Sequence, residues 1–156
     1  VGHSFGTAAM SYVMRSTPQA IAAAVFVEPV VFLLTRPEVS LGFLFSPDAE
    51  TDPILDTLRS DPGIAFSMRR RFWWQEAVLF AEDIKCATTV FLASRDGIVP
   101  SDKVKTYLQG STNPRIASPE MFDGFGHGEW EYDEPSVARV VVAAMSSRDA
   151  IFTRKP

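Results

Sequence analysis

The chain has 156 residues, of which 46% are hydrophobic and 22% charged, which is the composition of one folded globular domain rather than of a disordered chain. Its net charge of −4 argues against nucleic acid as a partner, since phosphate binding needs a basic surface. The single cysteine, Cys86, excludes an internal disulfide and disfavours a cysteine-based metal site, so a buried structural thiol is expected.

The first part of the chain alternates a helix with an apolar strand. We predict a helix over residues 7–15 and a strand over residues 22–27, whose continuous apolar run is typical of a parallel sheet covered on both faces. The longer apolar stretch, residues 20–34, is interrupted by Glu28-Pro29, and no integral membrane segment is therefore expected.

Residues 29–84 have a different pattern. Prolines divide this segment into short pieces, and its aromatic residues do not alternate as in a strand. The basic run Arg69-Arg70-Arg71 is interpreted as a solvated helix face rather than as a binding patch. We predict a helical insertion, whose clearest element is one helix after Asp61 that carries Phe66, Met68, Phe72, Trp73, Val78 and Phe80.

The alternating pattern returns after this segment. A second buried strand is predicted over residues 88–93, followed by a helix that Ser101 or Asp102 can cap and that Gly110 ends.

A weaker strand lies within residues 116–122, and Pro135 opens a last helix. Alternating strands and helices predict an α/β architecture with a parallel sheet and flanking helices. Residues 1–28 and 85–156 are expected to form this core, with residues 29–84 as the insertion.

The segment Gly2-His3-Ser4-Phe5-Gly6 is a G-x-S-x-G pattern, which favours a sharp strand-to-helix turn that exposes the hydroxyl of Ser4. The amino end of the following helix favours developing negative charge, so the backbone N–H of Phe5 is a candidate oxyanion donor. Ser4 could instead cap the helix, but that interpretation leaves Gly2 and Gly6 unexplained.

A serine nucleophile needs a base, and histidine is the usual one near neutral pH. His3 is adjacent to Ser4, and neighbouring side chains diverge at such a turn, so we expect His3 to pack beside the site. His127 lies on a glycine-flanked loop after the last predicted strand and is the predicted base. The alternative for His127 is a surface-loop histidine.

The base needs a carboxylate that fixes its tautomer. Asp96 follows the strand over residues 88–93, at the end where catalytic groups gather in open α/β sheets. Asp96 could also simply shape an Asp-Gly turn, and Glu28, at the end of the preceding strand, is the alternative acid. The chain order serine, aspartate, histidine favours Asp96.

Three segments, at residues 2–6, 95–100 and 126–128, resemble the catalytic segments of the α/β-hydrolase superfamily. The resemblance covers the whole chain, because residues 29–84 are similar in position to the helical cap that many members insert.

This resemblance implies a serine hydrolase that cleaves an ester or related acyl bond through an acyl-enzyme. Ser4 would be the nucleophile, Asp96 the acid, His127 the base and Phe5 the source of one oxyanion amide. No metal or organic cofactor is implied, and the substrate would be a small molecule with an apolar acyl or alcohol group. The oligomeric state stays open.

Only Val1 precedes the motif, whereas the superfamily has a strand there. We therefore expect the chain to be the C-terminal part of the fold, truncated at its N-terminus. The second oxyanion amide would then lie upstream of Val1, and the targeting of the protein is undetermined. The alternatives are a non-catalytic fragment or degraded homologue, and an acyltransferase or carbon–carbon bond hydrolase that uses the same three side chains.

Overall fold

Four parallel strands form one sheet in the computed structural model, which describes residues 1–45 and 53–152. The order of the strands across the sheet follows the chain, and the pairing aligns Gly2 with Phe26 and Val27 with Phe91. The predicted parallel α/β architecture is confirmed. The strands are β1 (Gly2–His3), β2 (Ala23–Val27), β3 (Ala87–Ala93) and β4 (Glu120–Phe122).

Helices occupy the connections between the strands, as a parallel sheet requires. None of the described helices is long and apolar enough to cross a membrane. The α-helices are α1 (Gly6–Ser16), α2 (Glu38–Phe45), α3 (Pro53–Ser60), α4 (Pro62–Arg70), α5 (Trp74–Ala77), α6 (Ser101–Gln109) and α7 (Glu134–Phe152). Short 3-10 helices lie at Pro18–Ala20, Ala81–Asp83 and Glu129–Tyr132.

The sheet is buried on both faces, because successive side chains of a strand point to opposite sides. One face packs against α7, and its buried apolar residues are Val25, Val27, Phe91, Phe122, Trp130 and Val140. The other packs against α1 and α6, and its buried residues include Ala24, Phe26, Val90, Leu92, Met14, Val104 and Leu108. Burial on both sides explains why β2 and the second half of β3, residues 90–93, are continuously apolar.

The helix expected after Asp61 is shorter than predicted. The Asp61 side chain accepts a hydrogen bond from the Ile64 N–H at 2.7 Å and so caps α4. At Arg71 the backbone leaves the helical region, with φ −128° and ψ 2°, and a separate short helix, α5, follows. Four of the residues assigned to the predicted helix therefore lie between or after the two helices: Phe72, Trp73, Val78 and Phe80.

The amino end of α6 also differs from the prediction. Ser101 and Asp102 are already inside the helix, and the residue before it, Pro100, makes no side-chain cap. The Ser101 hydroxyl donates instead to the Val99 carbonyl at 3.4 Å. A capping serine must lie directly before the first helical residue, whereas Ser101 is itself the first residue of α6.

The last strand is confined to the end of its predicted range. Ile116 makes an isolated bridge to Thr88, and the ladder resumes only at Glu120. Pro119 lies directly before this point and has no N–H to donate to the sheet, which accounts for the shortened strand.

Helix α2 approaches the loop after β3 at Gly42. A Cβ atom on Gly42 would lie 2.7 Å from the Gly97 carbonyl oxygen and 2.9 Å from the Ile98 Cα. Both atoms belong to the backbone, so they cannot rotate away as a flexible side chain could. A glycine inside a helix is destabilising by about 0.5–1 kcal/mol relative to alanine, and this close contact is the reason to keep it.

Substitution of Gly42 by alanine is therefore expected to destabilise the fold by about 1–3 kcal/mol, although alanine is the better helix former. Urea unfolding measures the change. Gly6→Ala is the matched control, because a Cβ atom on Gly6 meets nothing within 4 Å and the change should stay within about 0.5 kcal/mol. Equal effects at the two positions would contradict the packing argument.

Candidate active site

Ser4 occupies the turn between β1 and α1 in a strained conformation. Its φ of +49° lies in the left-handed region, which residues other than glycine rarely adopt. The Ser4 N–H donates to the Val27 carbonyl at 3.0 Å, and the Thr7 N–H donates to the Ser4 carbonyl at 3.0 Å. Backbone strain held by surrounding hydrogen bonds is characteristic of functional positions.

The two glycines of the motif have different environments. A Cβ atom on Gly2 would lie 2.3 Å from the Met10 Sδ and 3.3 Å from the Gly6 carbonyl oxygen, so strand and helix approach closely there. Gly6 faces open space. The close approach of strand and helix therefore requires a glycine at position 2, and at position 6 it does not.

His127 lies on the loop after β4, and its Nε2 is 2.8 Å from the Ser4 Oγ. Gly124 and Gly128, which adopt φ values of +82° and +81°, let the loop turn back over the sheet edge. The Glu129 carboxylate accepts the Gly126 N–H at 2.6 Å and closes the turn. The His127 side chain is only 15% exposed, which excludes the alternative of a surface-loop histidine.

Asp96 follows β3 and is hydrogen-bonded on both of its oxygens. Its Oδ2 is 2.8 Å from the His127 Nδ1, while its Oδ1 accepts the N–H groups of Ile98 and Val99, each at 2.8 Å. The carboxylate is fully buried. Asp96 thus both shapes its own turn and faces the histidine, so the two interpretations of this residue are compatible.

These contacts form a series through which a proton can pass. A histidine whose Nδ1–H donates to Asp96 presents the lone pair of Nε2 to the Ser4 hydroxyl. The hydroxyl can then donate to Nε2 and lose its proton when its oxygen attacks an electrophile. A carboxylate in the position of Asp96 can stabilise the imidazolium that results.

Glu28 directly follows β2, and the structure does not place it within hydrogen-bond distance of His127. Its Oε2 is 3.6 Å from the His127 Nδ1 but 2.9 Å from the His3 Nε2, and it accepts the Gly128 N–H at 2.7 Å. The direct carboxylate partner of His127 is therefore Asp96 rather than the alternative acid.

His3 packs beside the site. Its ring stacks on that of His127 at 5.4 Å between centroids and meets the Trp130 ring edge-on at 5.6 Å. The second ring nitrogen of His3, Nδ1, is 3.0 Å from a carboxylate oxygen of Glu131. Both nitrogens of His3 thus face carboxylates.

Among the residues that the structure describes, one cluster has the composition of a metal site. His3, Glu28 and His127 place ligand atoms within 4.8 Å of one another. The same atoms already contact each other or Asp96, and the remaining nitrogen of His127 contacts Ser4. The hydrogen bonds of the cluster account for its geometry without an ion.

Phe5 follows the serine and is exposed to 54%. Within residues 1–45 and 53–152, its backbone N–H has no hydrogen-bond partner, so it can donate to an oxygen bound beside Ser4. Its ring lies 5.7 Å from that of Phe72, which belongs to the segment over residues 29–84. An aromatic pair thus adjoins the serine.

The single thiol lies outside this cluster. Cys86 is buried, as expected, and burial raises the pKa of its thiol above the usual value. It therefore remains protonated near neutral pH and is a poor nucleophile.

Some contacts of the site could be found from sequence and others could not. Glu129 stands three residues after Gly126, a spacing typical of local side-chain caps, and this signal was available. Glu131 and Gly42 carry no local signal, since their partners His3 and Gly97 are remote in the chain.

A scan against protein-family models found no match, and neither did a search of curated proteins. Solved structures do match. A serine hydrolase from the polyaromatic-hydrocarbon-degrading bacterium Cycloclasticus zankles is 19% identical, with a TM-score of 0.59, over 97% of this chain and 64% of that one. A 2-hydroxy-6-oxo-6-phenylhexa-2,4-dienoate hydrolase from Rhodococcus is 17% identical, with a TM-score of 0.56, over 90% of this chain and 62% of that one.

A meta-cleavage product hydrolase from Pseudomonas fluorescens is 14% identical, with a TM-score of 0.59, over 96% of this chain and 64% of that one. The chain therefore spans less than two thirds of the length of these three structures. At such identities the similarity concerns the fold.

Replacing Gly128 by alanine should strain the base loop, which is the loop over residues 123–128 that carries the predicted base His127. The reason is that a left-handed φ is about 1–2 kcal/mol less favourable for alanine than for glycine. We expect a loss of that size in urea unfolding. Gly110→Ala is the matched control, since Gly110 has a φ of −75° and ordinary contact distances. A loss at Gly110 as large as that at Gly128 would refute the conformational argument.

Proposed function

We propose that this chain, which has the fold of the α/β-hydrolase superfamily, is a serine hydrolase that cleaves an ester or related acyl bond. The observation that carries the proposal is the unbroken contact series from Asp96 through His127 to Ser4, with both distances at 2.8 Å. These groups converge at a strained serine, beside the Phe5 N–H that is unpaired among the described residues. A nucleophile, a base and an oxyanion donor are the parts that acyl transfer needs.

In the first step the Ser4 Oγ attacks the carbonyl carbon, and its proton passes to the His127 Nε2. The carbonyl electrons move to oxygen, and the resulting oxyanion accepts a hydrogen bond from the Phe5 N–H. When the carbonyl re-forms, the bond to the leaving group breaks and His127 returns its proton to that group. The product of this half-reaction is an acyl group on Ser4.

In the second step water attacks the acyl carbon and gives a proton to His127. Collapse of the second oxyanion breaks the bond to Ser4, whose oxygen recovers the proton from His127. The acid is released and the enzyme is regenerated. Across the two steps His127 exchanges protons with Ser4, the leaving group and water, and Asp96 accepts none of them.

The substrate that we propose is a small molecule with an apolar group. The contact between the rings of Phe5 and Phe72 supports this, because it places an aromatic side chain of the segment over residues 29–84 beside the serine. We propose that this segment acts as a cap over the site. Aromatic surface of this kind binds an aliphatic or aromatic acyl or alcohol group through burial of apolar area.

A carbon–carbon bond hydrolase with the same three side chains is the second candidate. Two of the structures with the same fold are a dienoate hydrolase and a meta-cleavage product hydrolase. Assays with an aryl dienoate and with an ester distinguish the two candidates. The substrate with the higher wild-type kcat/KM identifies the reaction, and that activity should be lost in Ser4→Ala.

A fluorophosphonate probe should label the full chain, expressed from its natural gene, at Ser4. The label should disappear in Ser4→Ala and fall sharply in His127→Ala, and each variant should lose about 10⁶-fold in kcat, as expected for groups that act as a unit. Asp96→Asn should lose about 10⁴-fold, because the histidine then takes the wrong tautomer. Mass spectrometry of the labelled peptide measures the site.

Retained labelling in Ser4→Ala, or an unchanged labelling rate in His127→Ala, would refute the assignment. Ser16→Ala is the matched control, since the Ser16 hydroxyl donates to the backbone carbonyls of Tyr12 and Val13 in its own helix. This variant should be labelled like the wild type.

Removal of the Phe72 ring should weaken the reaction of apolar substrates selectively. For Phe72→Ala we expect about a tenfold lower kcat/KM with an octanoyl ester and little change with an acetyl ester, since a pocket contact of this size discriminates by about 1–3 kcal/mol. Trp73→Ala is the control, because the Trp73 side chain is 70% exposed. An equal loss with both esters would show that Phe72 does not contact the acyl group.

A further inference from the structure

Glu28 combines features that are unfavourable for folding. Its backbone has a φ of +46°, and its side chain is fully buried. Burial of a carboxylate is expensive unless it is paired, and a left-handed φ is strained for glutamate. A residue with both features is held in place by its surroundings, and here those surroundings are the parts of the candidate active site.

The polar contacts of the Glu28 carboxylate with the candidate site are made by one of its two oxygens. Oε2 accepts the Gly128 N–H at 2.7 Å, faces the His3 Nε2 at 2.9 Å, and lies 3.6 Å from the His127 Nδ1. The other oxygen, Oε1, is buried and has no hydrogen-bond partner in the described part of the chain. The carboxylate is therefore anchored on the side that faces the base.

The distance to His127 separates the role of Glu28 from that of Asp96. A separation of 3.6 Å is too long for a hydrogen bond, whereas Asp96 is at 2.8 Å from the same nitrogen. At 3.6 Å a negative charge still stabilises a positive ring in a site shielded from water. Through Gly128, the same carboxylate also holds the residue that follows the base.

We propose that Glu28 is a positioning residue of the catalytic base, an inference that rests on the proposed function. It fixes the loop of His127 through the Gly128 N–H, and its charge adds to that of Asp96 when the Ser4 proton moves to His127. Glu28 itself takes no proton in that step. His3 lies between Glu28 and Glu131, with one ring nitrogen facing each carboxylate.

Several titratable groups face the His127 ring and enter any pH dependence. Asp96 comes from the loop after β3 and Glu28 from the end of β2, while His3 stacks on the ring from β1. Glu131, on the 3-10 helix after the base loop, contacts the second ring nitrogen of His3. The Glu28 carboxylate contacts both the Gly128 N–H and His3, whereas Glu131 contacts His3 with its side chain and the Gly128 carbonyl with its backbone N–H.

The test is Glu28→Gln in the full chain. Glutamine keeps an acceptor for the Gly128 N–H but removes the charge, so we expect kcat to fall about 10- to 100-fold, less than the loss expected for Asp96→Asn. KM should change little, because a buried residue does not touch the substrate. The acidic limb of the kcat/KM profile should move to lower pH by about one unit, since the imidazolium loses a nearby negative charge.

A conservative variant covers the case in which Glu28→Gln does not fold. Glu28→Asp keeps the charge but is one methylene shorter, so it should lose the contact with Gly128. We expect a lower kcat with the acidic limb within a few tenths of a unit of its wild-type position. Glu120→Gln is the matched control, because Glu120 forms an exposed ion pair with Arg139 on the surface, and its kinetics should equal those of the wild type.

Wild-type kcat and an unmoved acidic limb in Glu28→Gln would overturn the inference, as would a wild-type kcat in Glu28→Asp. A loss of activity that follows the loss of thermal stability, with no shift of the limb, would indicate a structural role and also overturn it. These outcomes require an active wild type. Absence of Ser4 labelling and of hydrolysis in the wild type would instead refute the proposed function, and the inference with it.

Discussion

The parallel alignment of four strands is the constraint on which the site depends. Because all four run in one direction, their carboxyl ends lie at one edge of the sheet, and the residue or loop after each strand contributes one group. Ser4 follows β1, Glu28 follows β2, Asp96 follows β3 and His127 lies in the loop after β4. Reversal of any one strand would send its group to the opposite edge.

The apolar core and the polar edge support each other. Strands buried on both faces give the sheet a fixed position, which lets loops at its edge hold side chains to within a few tenths of an ångström. The loops add local order: Asp96 accepts two backbone N–H groups of its own turn, and the Gly126 N–H is bound by Glu129. Buried carboxylates and imidazole rings are therefore paired rather than isolated, which lowers the penalty of burying them.

Much of this could be read from local sequence. The buried strands, the helix after the serine motif and the α/β architecture follow from runs of apolar residues and from helix signals that act over a few positions. The single helix predicted after Asp61 was wrong, since the backbone break at Arg71 has no marker such as glycine or proline. The prediction of Ser101 as the helix cap was wrong by one position, an error typical of helix ends. The catalytic roles of Ser4, Asp96 and His127 stay predictions, although the structure places their side chains in contact.

The sequence by itself determined the fold class and the candidate groups Ser4, Asp96 and His127, because both depend on residue type and on spacing along the chain. Only the tertiary structure decided between the two carboxylates for the direct contact with His127, and only it joined Glu28 to His3 and Gly128. These are distances between atoms up to 100 positions apart in the chain. Such distances follow from how strands pair and loops fold back, which no local pattern of residues encodes.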